Sequence, residues 1–282
     1  MSEPFIAAQR VAEAADRAWH GAGAGADEGV CVGVIAALAL LGQADPQGPD
    51  PREQILELGD EEIAQLLNEV WCLFTITRPE LAMRCGPFGE WLNAEPLDRH
   101  LLAGAGAVAR TAVKSGLLEL TLDLEVSRQV DLLGVVYTTM RSPSAKAARG
   151  EFYTPPELAE VMARISFSRA RAGSSICDPT AGTGGLLRAA AQTLRAEGKD
   201  PREFRWYGCD ISPVAVAALA VNVHIWGLGC QVVIGCADTL AEHWEVRALR
   251  EQREAVEAQR SRARAAVLFT AMGLHGAGGE VR

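Results

Sequence analysis

Residues 177–185 read CDPTAGTGG: an aspartate, then two threonines and three glycines, directly after the short run Ser174-Ser175-Ile176. The stretch SSICD predicts a strand ending at Asp178, and GLLRAAAQTLRAEG after the loop predicts a helix that Gly198 stops. The same order then repeats. FRWYGCD predicts a strand ending at Asp210, ISPVAVAALAVNVHIWG a helix opened by Ser212 and Pro213 and closed by Gly227, and QVVIGCAD a third strand ending at Asp238. This rhythm implies an α/β fold with right-handed crossovers and a parallel, doubly wound sheet. In such sheets ligands bind beyond the carboxyl ends of the strands, where the glycine loop and all three aspartates fall.

Two phosphate-binding readings of the loop fail. A P-loop needs a Lys-Ser/Thr pair after its last glycine, and GTGGLLR has none. The dinucleotide pattern GxGxxG, counted from Gly182, requires a third glycine where Leu187 stands. Asp178 at the loop mouth would repel a pyrophosphate and attract a cation, while the loop N–H groups suit an anion. Together they fit a zwitterion such as the amino acid head of S-adenosylmethionine (SAM). Asp210 is then placed for the ribose hydroxyls, and Asp238 for the adenine amino group. Against this stands the plain alternative that glycines serve tight turns and aspartates cap helices. Three strand tips in succession favour the site.

Working outward, GEFYTPPELAEVMARI predicts a helix with Thr154 as cap, Pro155 at its first position, Glu157 completing a capping box, and an apolar stripe of Leu158, Val161, Met162 and Ile165. Residues 1–140 read as a mainly helical domain, 141–150 as a linker, and 151–282 as the Rossmann-like domain. Within the first part, VCVGVIAALALLG from Val30 predicts a buried helix, and DEEIAQLLNEVWCLF an amphipathic one. LLELTLDLEV alternates with period two, which predicts a short strand near residues 118–126, with a helix as the alternative. The linker carries Arg141, Lys146 and Arg149, the best local basic patch, in a composition that equally fits a solvated connection.

An apolar fraction of 49% over 282 residues supports a packed core, and no apolar run reaches the length of a membrane span, so a cytoplasmic location and no membrane partner are expected. The formal net charge of −9 disfavours strong DNA binding by the chain alone. Seven cysteines without a CxxC pair argue against a disulfide framework and against a metal site.

GEFYTP, DPTAGTGG and YGCDISPVAVAALAVNVHIWGL, in that order, resemble the N-6 adenine DNA methylases, particularly the modification subunits of type I restriction-modification systems. DLLGVVYTTM upstream is similar to the segment before the family's FYTP motif, so the resemblance covers residues 131–240. It implies a SAM-dependent methyltransferase fold. It also implies that Phe152, Tyr153, Thr154 and Pro155 surround the methionine end, that Asp178, Thr180, Gly182 and Gly184 cradle SAM, that Asp210 with Ile211 meets the ribose, and that Asp238 lies near the adenine ring.

The departure concerns catalysis. Members of the family carry an Asn/Asp-Pro-Pro-aromatic motif after the fourth strand, whose acceptors orient the adenine amino group and whose ring stacks on the flipped base. No such tetrad occurs in this sequence. The candidate fourth strand is ARAAVLFT, and the positions from its end read Thr270, Ala271, Met272 and Gly273. A truncated sheet is therefore expected, with no catalytic residue assigned. Before it lies a charged helix over residues 242–264, with Arg247/Glu251, Arg250/Glu254 and Arg253/Glu257 at i, i+4 spacing. That helix or the truncated sheet edge is a candidate surface for a protein partner or a second copy. Three functions follow as expectations: a SAM-binding component without base methylation of its own, an active methyltransferase on DNA adenine or another substrate completed by a partner, or a structural interaction protein whose pocket has decayed.

Overall fold

The computed structural model describes residues 2–25, 27–41, 51–141, 153–240 and 243–271. Five longer helices form the first part: α1 (Glu3–Gly21), α2 (Glu28–Leu41), α3 (Asp60–Thr77), α4 (Arg99–Lys114) and α5 (Leu132–Met140). Then follow α6 (Pro156–Phe167), β1 (Ser175–Asp178), α7 (Gly185–Ala196), β2 (Arg205–Asp210), α8 (Pro213–Ile225), β3 (Val232–Cys236) and α9 (Trp244–Ala271), with short helical turns between the elements of the first part.

The apolar run at Val30 becomes α2, buried from Gly29 to Ala39. A helix apolar on every side belongs at the centre of a core. Gly33 is essential to its packing, because a Cβ there would stand 2.7 Å from the Phe88 carbonyl oxygen. Around α2 pack α1, α4, α5 and, from the second part, α8. Trp19, Ile35, Phe88, Tyr137, Leu219 and Ile234 accordingly belong to one continuous core. Polar ties reinforce it: Arg78 donates to Gly229 O at 3.0 Å, and Arg84 pairs with Glu251 at 2.6 Å.

The strand expected near residues 118–126 is instead two short helices, Leu117–Thr121 and Leu124–Arg128. Leu117, Leu118, Leu120 and Thr121 are the buried positions, a helical spacing. The Asp123 carboxylate then accepts the N–H groups of Glu125 and Val126, which starts the second helix and breaks the period-two pattern. Arg141 does not contribute to a basic surface. It is buried, ion-paired with Glu28 at 3.3 Å and donates to the Tyr137 hydroxyl. Lys146 and Arg149 lie outside the described residues.

The sheet is parallel, in the order β1-β2-β3, with Ile176 beside Trp206 and Trp206 beside Val232. Trp206, Val232 and Ile234 join the core beneath α7 and α8, while Cys209 and Val233 pack on the other face against Trp244 and Ala248 of α9. Helices thus cover one face of the sheet, while α9 covers the other over β2 and β3 and leaves Ser175 and Cys177 of β1 exposed. Among the described residues nothing pairs with the outer edge of β1.

The expected fourth strand does not form: ARAAVLFT lies in the last turns of α9. Alanine, arginine and leucine are strong helix formers. The ion pairs Arg247–Glu251 and Arg250–Glu254 carry the helix forward from its anchored start at 3.7 and 3.8 Å. Met272 and Gly273 lie outside the described residues.

α6 begins one residue later than the sequence predicts, at Pro156, and the capping box on Thr154 is absent, no side chain capping this end. The reason is the Pro155-Pro156 pair, since a residue before proline is kept out of the helical region. Pro155 is extended, at φ −54° and ψ 141°.

Candidate cofactor site

A cavity of about 1240 Å³ opens at the carboxyl ends of β1 and β2. The glycine loop forms its floor, the tip of β2 one wall, the entry to α6 another, and α1 and α5 of the helical part close it. The loop turns back through Gly182 at φ +53° and Gly184 at φ +100°, left-handed conformations that favour glycine. Gly184 also lets α8 approach, because a Cβ there would meet Leu219 Cδ1 at 2.6 Å and the Trp226 ring at 2.9 Å.

The loop is tied to the next strand tip. Ala181 N–H donates to Cys209 O at 2.7 Å, and Gly182 N–H to Asp210 Oδ2 at 2.8 Å. The other oxygen of Asp210 accepts Ser212 N–H at 2.9 Å. Each carboxylate oxygen can accept more than one hydrogen bond, so Asp210 retains capacity towards the cavity. Ser212 in turn caps α8 and meets the Tyr137 hydroxyl at 2.8 Å. Tyr137 stands edge-on to Tyr153, their ring centroids 6.4 Å apart.

Asp178 is buried, and its carboxylate accepts Thr180 N–H at 3.1 Å. Burial pushes its pKa above the usual carboxylate range, the Thr180 N–H partly offsets this, and the neighbouring charge of Asp210 raises it further. Such a carboxylate gains from a cation. Asp210, Glu157 and Glu160 line the same cavity, against one arginine, Arg188, which pairs with Glu160 at 3.9 Å.

Sequence reasoning missed the hub beneath the loop. Asp131 caps α5 by accepting Gly134 N–H at 2.8 Å, and also accepts from Thr183 Oγ1 at 2.6 Å and Asn222 Nδ2 at 2.7 Å. Burial raises its pKa, and the bonds from Thr183 and Gly134, the charge of Arg188 and the bond from Asn222 act the other way. Two signals could have found it: an aspartate at the start of LLGVVYTTM, and an asparagine inside the otherwise apolar helix AVAALAVNVHI, which needs a partner when buried.

Of the expected site residues, Tyr153, Thr154, Pro155, Asp178, Thr180, Gly182, Asp210 and Ile211 line this one cavity. Gly184 supports it from behind. Asp238 is not among the lining residues; it is exposed at the far strand tip, its carboxylate accepting Leu240 N–H at 2.9 Å. Phe152 lies outside the described residues. Among the described residues no cluster of His, Cys, Asp or Glu could hold a metal ion, and no helix is long and apolar enough to cross a membrane.

A glycine loop between strand and helix, an acidic residue at the next strand tip and a cavity over both define a Rossmann-like α/β protein with a small-molecule site. Residues 128–259 match the family described as N-6 DNA Methylase. It is 36% identical over 78 residues to the type I restriction enzyme MjaIX methylase subunit of Methanocaldococcus jannaschii, an alignment covering 28% of this chain and 13% of that protein. A crystal structure of the type I restriction-modification system methyltransferase subunit from Streptococcus thermophilus superposes with a TM-score of 0.42 at 15% identity, covering 86% of this chain and 58% of that one. The matches span less than two thirds of either relative.

Proposed function

We propose that the cavity binds SAM and that the chain, acting alone, does not methylate adenine. The observation that carries the first half is the buried Asp178 carboxylate beside the glycine loop, lining an acidic cavity. The ammonium of SAM would relieve its desolvation, and the loop amides would take the adjoining carboxylate. Asp210 has free lone pairs for the ribose hydroxyls, while Tyr153, Thr154 and Pro155 wall the methionine end. Ile211, exposed at the mouth, adds apolar surface. When bound, SAM supplies an electrophilic methyl group.

The second half rests on the residues that would use it. Orienting the adenine amino group takes the Asn/Asp-Pro-Pro-aromatic set, and the sequence holds no such tetrad. Removing one preorganised polar contact costs on the order of a hundredfold in rate, so losing acceptor and stacking ring together removes base methylation. In this reading the chain is a cytoplasmic cofactor-binding component of a methylase assembly, with weak DNA contact of its own at a net charge of −9.

Titration calorimetry with SAM tests the cofactor, and incubation with labelled SAM and adenine-containing DNA tests the reaction. Saturable binding that Asp178→Ala abolishes, with no label transferred, is expected. Absence of binding by the unaltered chain would overturn the first half, and label on DNA the second.

A further inference from the structure

The apolar stripe of α6 forms as its sequence predicts, but among the described residues it is left largely exposed. The helix buries Ala159 and Ala163 against α7 and leaves Leu158 51%, Val161 52%, Met162 45% and Ile165 79% exposed. These four positions follow i, i+3, i+4, i+7, the spacing of a seam between two paired helices. We propose that a second copy of this chain covers the stripe, the two α6 helices packing antiparallel across a two-fold axis near Val161 and Met162.

The charges beside the seam select this occupant. Glu157 and Arg164 are seven residues apart, exposed, and on the same flank of the stripe. Antiparallel packing brings like flanks together in reversed order, so Glu157 of each copy faces Arg164 of the other, twice. Leu158 of one copy meets Ile165 of its mate. A parallel pairing would set that flank against the opposite one and bring no charge pair together. A two-fold contact is self-complementary by construction, and this stripe with its flank satisfies that condition in sequence and in charge. The inference is independent of what the cavity binds. It adds that the helix forming the seam also supplies Pro156, Glu157 and Glu160 to the cavity wall, Glu157 standing on the flank between the two.

Sedimentation velocity over a dilution series tests it. A reversible dimer is expected for the full chain. Ile165→Asp should weaken association at least tenfold and Ile165→Leu should preserve it, with near-ultraviolet circular dichroism confirming that both remain folded. Glu157→Arg and Arg164→Glu should each weaken the dimer, and the doubly exchanged chain should regain it. A monomer throughout the series overturns the proposal. So does a dimer indifferent to Ile165→Asp, which would place the contact elsewhere, such as the open edge of β1, and so does a failure of the double exchange to restore association.

Discussion

The hydroxyl of Thr183, in the middle of the glycine loop, donates at 2.6 Å to the buried carboxylate of Asp131, fifty-two positions earlier in the chain. Asn222 of α8 donates to the same carboxylate at 2.7 Å and to Thr183 O at 2.9 Å. One side chain therefore joins α5, the loop and α8. Asp131→Ala strands these buried donors, and each costs about 1–3 kcal/mol when unpaired, so a loss of at least about 2 kcal/mol is expected in urea unfolding. Thr183→Val, which removes only one donor at nearly constant shape, should cost roughly 1 kcal/mol. Equal losses for the two would show that Asp131 does not act as a hub.

Asp178 predicts opposite effects on binding and on stability. Its raised pKa means that the folded chain holds the proton more tightly than the unfolded one. Ligand-free stability is then highest below the ordinary carboxylate range and falls as pH rises through the raised value. Asp178→Asn should stabilise the ligand-free chain at neutral pH. The same change should weaken SAM by about tenfold to a hundredfold, the size of one charge-assisted hydrogen bond. Affinity for the unaltered chain should fall on acidification into that window, and the asparagine variant should lose this dependence. Calorimetry across the pH range measures both.

His224 predicts an acid limb in stability. Burial, then the charge of Arg78, lowers its pKa from 6.5 to about 4, with Glu80 opposing. Nδ1 lies 3.0 Å from Arg78 Nη1 and accepts from it, which requires the neutral ring. The unfolded chain takes up the proton near 6.5 and the folded chain only near 4. This contribution is therefore complete above pH 6.5 and lost as pH falls towards 4, on the order of 3 kcal/mol. Denaturation midpoints of His224→Gln should flatten over that interval.

Gly184 and Gly185 are neighbours with opposite tolerances. At Gly184 an alanine would combine a left-handed backbone with a Cβ 2.6 Å from Leu219 and 2.9 Å from Trp226. A loss above about 2 kcal/mol is expected, the left-handed backbone alone costing roughly 1–2. At Gly185 a Cβ meets only Asp131 Oδ2, at 3.9 Å, so Gly185→Ala should be neutral or slightly stabilising. Thermal unfolding of the pair separates steric demand from loop chemistry.

The strands ending at Asp178 and Asp210, the helices opened by Gly185 and Ser212, and the buried helix after Val30 were legible because each carries local punctuation: a glycine, a proline, a cap or an uninterrupted apolar run. Eight expected site residues converge on one cavity: Asp178, Thr180, Gly182, Asp210 and Ile211 because strand tips and the loops after them are adjacent in any parallel sheet, and Tyr153, Thr154 and Pro155 because the entry to α6 folds beside those tips. The reading failed where local patterns are degenerate. Alternating leucines at 117–126 serve a short helix as well as a strand, and ARAAVLFT follows whichever structure its flanking helix imposes. Asp238 shares the strand-tip position of its two predecessors, yet the cavity sits over β1 and β2 and leaves it outside.

The sequence by itself determined the α/β rhythm, the glycine loop with its acid neighbours and the absence of an adenine-orienting tetrad, since all three are properties of residues close together in the chain. Only the tertiary structure decided that Asp131, Thr183 and Asn222 form one buried hub, that Arg141 is spent inside on Glu28 and Tyr137, and that the stripe of α6 faces outward. Such outcomes depend on which distant segments meet. Hydrophobic burial selects those meetings by total area removed from water, a quantity no local pattern records.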